Sequence, residues 1–114
     1  MIKRIFIYSL PEGTNHDEFW KYHTEVHASD TKNAAGPRIK KYVINRVTKV
    51  LLGEPKFWVL IETWWENEDA MNEFVKNAET IKIPGGGGKT SFSDFFPRIT
   101  EPFIALVEEK EIEL

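Results

Sequence analysis

Hydrophobic and polar positions along the chain switch between the two-residue repeat of β-strands and the wider repeat of helices. β-Branched and aromatic residues dominate the strand-like segments, and acidic residues or glycine-proline pairs flank the helical ones. The pattern predicts strands over residues 2–10, 38–52, 57–65 and 103–107, with helices over residues 14–33 and from Asn67 or Glu68 to residue 78. This β-α-β-β-α-β order predicts an α+β, ferredoxin-like fold: a four-stranded antiparallel sheet with two helices on one face.

Both faces of the predicted sheet are apolar. On the third strand, one face carries Phe57, Val59 and Ile61 and the other carries Trp58, Leu60 and Trp64. The two helices cover only one face, and no segment remains to form a second layer. We therefore expect a homodimer in which the uncovered sheet faces meet.

A long irregular stretch, residues 79–101, separates the second helix from the last strand. Its four consecutive glycines precede Lys89-Thr90, but a phosphate-binding loop also requires glycine at position 83, which is Ile83. Glycine gives the backbone freedom, and aromatic residues follow, so we expect a flexible loop in which residues 85–96 form a cavity lid. A surface loop with one packed aromatic turn at residues 91–96 is the alternative.

Composition and charge narrow the classes of protein. The 114 residues are 41% hydrophobic and 29% charged, which indicates one globular domain spanning residues 1–114. A net charge of −3 favours neither nucleic acid nor a membrane surface as a partner. Cysteine is absent, and the N-terminal residues enter a strand pattern directly. We therefore expect a cytoplasmic protein.

All three histidines lie in the first predicted helix. His16, His23 and His27 share one side with Trp20, beside an apolar stripe of Phe19, Tyr22 and Val26, so this helix covers either a core or a cavity. His23 and His27 are four residues apart and could share a metal ion, but the third ligand would have to be His16, about 10 Å away along the helix, or a carboxylate such as Glu62, so no metal site is expected. His27 is the best candidate for a general acid or base; a structural core histidine is the alternative.

These residues resemble the EthD family of the dimeric α/β-barrel superfamily. The likeness rests on Phe19, Tyr22 and His27 in the helix and on the second-strand pattern Tyr42-Val43-x-Asn45-x-Val47. The chain departs from the family pattern at His23, where tryptophan is frequent, and at Ser29, where proline is frequent. The resemblance implies a two-sheet dimer with a ligand cavity in each subunit, between the helices and the sheet.

The resemblance also implies small-molecule chemistry. We expect a cofactor-independent oxidoreductase, or a proton-transferring cyclase or isomerase, acting on an aromatic or polyketide-like substrate. His27 would be the acid or base, while Tyr42 and Asn45 would orient a carbonyl or enolate. The expected substrate-binding residues are Tyr8, Trp20, Tyr22, His23, Glu62, Phe92 and Phe95. Two alternatives remain: a haem-binding member with His27 or His23 as axial ligand, and a noncatalytic ligand-binding or accessory protein of an oxygenase system.

Overall fold

A computed structural model describes all 114 residues and shows four strands in the order β2-β3-β1-β4, with every neighbouring pair antiparallel. A continuous helix follows the first strand and contains one π-helical turn. The elements are β1 (Ile2–Ser9), α1 (His16–Tyr22), the π turn (His23–His27), α2 (Ala28–Ala35), β2 (Ile39–Arg46), β3 (Val59–Trp65), α3 (Glu68–Thr80), α4 (Ser91–Phe95) and β4 (Thr100–Val107). The predicted α+β, ferredoxin-like fold is confirmed.

Side-chain caps set the beginnings of the long helices. The carboxamide oxygen of Asn15, not the hydroxyl of Thr14, caps α1: it accepts a hydrogen bond at 3.0 Å from the backbone amide of Glu18, the third residue of the helix. Asn67 caps α3 in the same way. The first helix ends at Ala35 because Gly36 adopts a positive φ of 58° and Pro37 follows it. This end agrees with the predicted stop signal.

Two strand boundaries differ from the prediction by three residues or more. β2 ends at Arg46 rather than at residue 52, because the segment beyond Val47 has no neighbouring strand with which to pair; the Val47 amide makes the last link, to the carbonyl of Trp58. β4 begins at Thr100 rather than at residue 103 and contains Pro102. An edge strand tolerates proline because one side of its backbone needs no partner.

The interval 79–101 contains more structure than an irregular loop. Its chain folds back so that Lys82 pairs with Thr90, and the amide of Ile83 donates to the carbonyl of Lys89 at 2.8 Å. The glycines between them form a closed turn, after which Thr90 and Ser93 cap α4 reciprocally. The aromatic turn expected at residues 91–96 is present as α4; a mobile lid over residues 85–96 stays a prediction.

The helices cover one face of the sheet and leave the other open. Beneath the helices, buried side chains form two groups: Phe6, Tyr8, Phe19, Val59, Ile61, Phe95 and Ile99, and then Ala34, Ala35, Trp65, Phe74 and Ala78. Alternate strand residues occupy the open face, among them Ile5, Ile7, Leu60 and Trp64. Phe103, at the β4 edge of this face, is 53% exposed. The sheet is thus apolar on both sides.

Candidate functional site

A small cavity lies between the sheet and the helices, under α4. The sheet contributes its floor, the first helix and α3 its sides, and α4 with the following turn its cover. The lining residues are Arg4, Phe6, His27, Thr31, Tyr42, Ile61, Thr63, Phe74, Phe92, Phe95 and Phe96. Its volume is about 30 Å³, room for one or two water molecules, whereas ligand pockets usually measure about 300–1,000 Å³. In this conformation α4 therefore leaves too little room for a larger ligand, although the cavity is not sealed from the surface.

His27 is the titratable residue of the first helix that lines this cavity. Its Nε2 is 3.5 Å from the hydroxyl oxygen of Thr31, the outer limit of a hydrogen bond, and its Nδ1 is buried without a partner. The ring stacks on Phe95 with centroids 3.9 Å apart and planes 11° apart. Burial, together with the neighbouring His23, lowers the pKa of His27 to about 3. The imidazole is therefore neutral at physiological pH.

His23 lies directly behind His27 and is fully buried. Its Nδ1 forms a 2.7 Å hydrogen bond with the hydroxyl of Tyr8, whereas its Nε2 has no partner. Burial lowers the pKa of His23 to about 4 and raises that of Tyr8. The two imidazole rings are 5.2 Å apart. Two buried, neutral histidines, each with an unpaired nitrogen, are unusual in a packed core, where buried polar atoms normally find partners.

The π turn carries both of these histidines. Its hydrogen bonds span five residues, as from the amide of Ala28 to the carbonyl of His23, instead of the four of an α-helix. Such turns are rare and occur frequently at functional sites. Apolar periodicity does not reveal them, because one locally widened turn barely changes the spacing of side chains. This feature had no signal in the sequence pattern.

A hydrogen-bonded cluster of Tyr22, Asp94 and Arg98 holds α4 against the first helix. The hydroxyl of Tyr22 donates to Asp94 at 2.7 Å, the Arg98 guanidinium donates to the same carboxylate at 3.2 Å, and it also covers the Tyr22 ring at 4.1 Å. Burial alone would raise the pKa of Asp94, but the hydrogen bonds from Tyr22 and Arg98 outweigh it and lower that pKa. The cavity cover is thereby fastened by an ionised carboxylate.

The structure brings several of the predicted site residues together. His27, Tyr42, Phe92 and Phe95 line the cavity. Tyr8 and His23 contact Phe95 from behind, and Tyr22 holds α4 at the rim. Trp20 lies elsewhere, 5.0 Å from the guanidinium carbon of Arg46. Their roles in binding or catalysis remain predictions.

Asn45 and Glu62 are not brought to His27, contrary to the expected single site. The Asn45 carboxamide donates to Glu62 at 2.9 Å, and Glu62 in turn pairs with Lys3 at 2.7 Å, all on the open face of the sheet. The physical reason is strand alternation: Tyr42 and Asn45 are three positions apart and so point to opposite faces. The same parity, applied to the sequence, separates these two residues.

Arg4 is the charged lining residue that was not predicted from the sequence. Its side chain is only 7% exposed and makes no hydrogen bond or ion pair within the protein; the rings of Phe6 and Phe74 lie 5.7 and 5.8 Å from its guanidinium carbon. Burial lowers its pKa to about 10, so it remains charged at neutral pH. Strand alternation with Phe6 and Tyr8 was the available signal. The other lining residues that were not predicted are Phe6, Thr31, Ile61, Thr63, Phe74 and Phe96.

The structure contains neither a candidate metal cluster nor a candidate membrane-spanning helix. No three His, Asp or Glu side chains lie close enough together to hold a metal ion. No helix has the length and apolar character required to cross a membrane.

Comparison with known proteins places the fold. Neither a protein-family model nor a curated protein sequence matches the chain. The solved structures that match the chain include ferredoxin-like α+β proteins. An EthD family protein from Bacillus halodurans has a TM-score of 0.65 at 18% identity, over 96% of this chain and 99% of that chain. The structural neighbours therefore include EthD family proteins, as the sequence resemblance implied.

Two other neighbours have the same fold. A dimeric ferredoxin-like protein of unknown function from Thermobifida fusca has a TM-score of 0.64 at 14% identity, over 93% of this chain and 88% of that chain. A variant of MhuD, with two manganese protoporphyrin IX molecules per active site, has a TM-score of 0.60 at 17% identity, over 99% of both chains. These likenesses concern the fold alone.

Proposed function

We propose that the chain is an EthD-like enzyme that transfers a proton, or assists oxygenation, on an aromatic or polyketide-like small molecule without a bound cofactor. The observation that carries this proposal is the unpartnered, buried Nδ1 of His27 beside an aromatic-lined cavity. Aromatic walls with a few polar groups suit a planar organic ligand. We expect the ligand to enter when α4 moves, because the cavity holds only about 30 Å³.

The proposed chemistry starts from a neutral imidazole. His27 would take a proton from carbon next to a carbonyl group, and the Tyr42 hydroxyl would donate a hydrogen bond to the carbonyl oxygen. Burial raises the pKa of Tyr42, so this donor keeps its proton at neutral pH. In this small cavity His27 is a weak base, but an enolate forming beside the ring would raise its pKa. Proton uptake and enolate formation would then stabilise each other.

The test uses deuterium exchange at the methylene carbon of phenylacetone in D₂O, followed by NMR. We expect the wild type to accelerate exchange over buffer and His27→Gln to lose about 10²- to 10⁴-fold of that acceleration, the usual contribution of a general base. His16→Gln, which removes an exposed histidine of α1, is the matched control and should exchange as the wild type does.

Equal rates in the wild type and His27→Gln would contradict the assignment of His27 as base. Ligand binding by the wild type without any accelerated exchange would instead support the alternative of a noncatalytic binding or accessory protein.

The haem-binding alternative fits this arrangement poorly. A porphyrin is several times larger than a single-ring ligand, and Phe95 stacks directly on the ring of His27, where an axial site would have to form. Nδ1 of His23 is already bonded to Tyr8, and its Nε2 is buried. The residues do not fit a porphyrin as they stand, so we derive no step through one.

We also propose that the chain forms a homodimer through its open sheet face. The support is the apolar character of that face, including half-exposed Phe103 at its edge, together with the dimeric ferredoxin-like neighbour from Thermobifida fusca. The polar cluster of Lys3, Asn45 and Glu62 on this face is internally paired, and Lys3 also pairs with Glu109 at 2.8 Å. Two carboxylates thus share one ammonium group, so the partner subunit would have to compensate one negative charge.

A further inference from the structure

Arg4 is a largely buried cation without a counterion, and its guanidinium nitrogens are not among the fully buried atoms that lack a partner, so they remain accessible from the cavity. It projects from β1 onto the helix-covered face, is 7% exposed, and has no carboxylate within ion-pair distance. The rings of Phe6 and Phe74 offset part of the cost of burying the charge through cation–π contact. Neutral rings cannot, however, accept five guanidinium N–H groups. Proteins seldom retain an uncompensated buried charge unless something else pairs with it.

The other polar groups around the cavity are also able to donate hydrogen bonds. No aspartate or glutamate lines it; the polar lining consists of Arg4, His27, Thr31, Tyr42 and Thr63. Thr63 accepts a hydrogen bond from the indole N–H of Trp65 at 2.9 Å, which leaves its own hydroxyl proton free to donate inward. The rest of the lining is aromatic or aliphatic. The cavity thus combines one cation, hydroxyl donors and flat apolar walls.

We infer that this cavity binds an aromatic organic anion, with a carboxylate or phenolate oxygen on the guanidinium of Arg4 and the ring among the phenylalanines. This inference rests on the proposed function for the location of the ligand and adds its charge. A planar guanidinium matches a carboxylate in a two-bond geometry, which a neutral amide of the same shape cannot reproduce. An anion beside His27 would also raise the pKa of that imidazole towards the range of a useful base.

The experiment compares benzoate with benzamide, two ligands of nearly equal shape that differ in charge. Their dissociation constants are measured by ligand-observed NMR for the wild type and for Arg4→Met. Both ligands must displace α4, so that cost cancels in the ratio of the two constants. We expect the wild type to bind benzoate about tenfold or more tightly than benzamide, as one charge-assisted hydrogen-bond pair gives. In Arg4→Met this preference should disappear while benzamide binding stays within about twofold.

Two further variants complete the test. Arg46→Met removes an arginine that pairs with Asp17 outside the cavity and should keep the wild-type preference for benzoate. Arg4→Lys retains the charge without the planar fork and should give an intermediate preference; it replaces Arg4→Met if that variant does not fold.

The outcomes separate this inference from the proposed function. Equal affinity of the wild type for benzoate and benzamide, or a benzoate preference that survives in Arg4→Met, overturns the anion inference and leaves the cavity as a ligand site. Failure of both ligands to bind overturns the inference together with the proposed ligand site.

Discussion

His23 and His27 are buried in their neutral forms, which makes the stability of the protein depend on pH. Their pKa values fall from 6.5 to about 4 and about 3 on folding, so the unfolded chain binds more protons than the folded one between those limits. The free energy of unfolding must therefore rise with pH in this range. The histidine contribution is present in full above about pH 6.5 and is lost as the pH falls towards 4.

The first prediction concerns this slope. Each buried histidine should remove about 1.4 kcal/mol of stability per pH unit of acidification below its unfolded pKa. Urea unfolding between pH 4.5 and 7 should show a steep slope for the wild type and about half the histidine part of it for His27→Gln. His16→Gln, at an exposed site, should retain the wild-type slope. An unchanged slope in His27→Gln would mean that this imidazole is not buried neutral.

The second prediction concerns the bond between Tyr8 and His23. Tyr8→Phe leaves Nδ1 of His23 buried without a partner, which should cost about 1–3 kcal/mol and lower the midpoint of thermal unfolding by several degrees. The same substitution in a His23→Leu background should cost much less, because no imidazole nitrogen is then left unpaired. Equal costs in the two backgrounds would contradict a stabilising role for this hydrogen bond.

Part of the site could be predicted from the sequence, and the rest could not, for physical reasons. Helical spacing correctly grouped His23 and His27, and the second-strand pattern led to Tyr42. Asn45 was misplaced because strand parity was not applied to it, and Arg4 was overlooked because a charged residue in an apolar strand is usually an exposed one. Which side of a strand faces the helices is visible only once neighbouring strands are paired.

Among the elements, α4 is one of the shortest. It is only five residues long, and it is held by the buried ring of Phe95 and by the bonds of Asp94 to Tyr22 and Arg98. The order of helices and strands followed from apolar periodicity, whereas the turn before α4 depends on the bridge between Lys82 and Thr90, which are eight residues apart. Hydrophobic periodicity does not encode such a pairing, so the sequence pattern predicted a loop for residues 79–101.

The third prediction tests whether Asp94 holds α4 in place. Asp94→Asn weakens the charged hydrogen bonds to Tyr22 and Arg98 and should speed amide hydrogen exchange of Phe95 and Phe96 by roughly tenfold, the equivalent of one weakened charge-assisted bond. Asp17→Asn, which affects an exposed ion pair with Arg46, should leave α4 exchange unchanged. Unaltered exchange in Asp94→Asn would assign the anchoring of α4 to Phe95 alone.

For the molecule as a whole, the open sheet face is the surface through which we propose that it associates. A single four-stranded sheet with helices on one side exposes apolar side chains that a monomer would leave in water. The sequence predicted this from the poor alternation of the third strand, and the pairing of β1 with β3 and β4 shows which side chains are involved. The placement of one subunit on the other is set by contacts between two chains, so the pattern of one sequence does not predict it.

The fourth prediction places a charge on this face. Ile7→Lys puts an ammonium group near the centre of the proposed interface and should raise the dimer dissociation constant by about 30-fold or more, the effect of losing a hot-spot residue. Light scattering across a concentration series measures the change. Leu51→Lys, at an exposed position outside the sheet, should leave the dimer intact. A wild-type monomer at micromolar concentration, or an unaffected dimer in Ile7→Lys, would contradict the proposed interface.

The small cavity has a consequence for the time course of binding. If a ligand can enter only during the fraction of time in which α4 is displaced, the observed binding rate should rise with ligand concentration and then level off at the opening rate. The apparent affinity is reduced by the same fraction. A plateau in stopped-flow traces would therefore measure how often α4 opens, and Asp94→Asn should raise it. Ligands of different affinity should share one plateau, because the protein and not the ligand would limit entry.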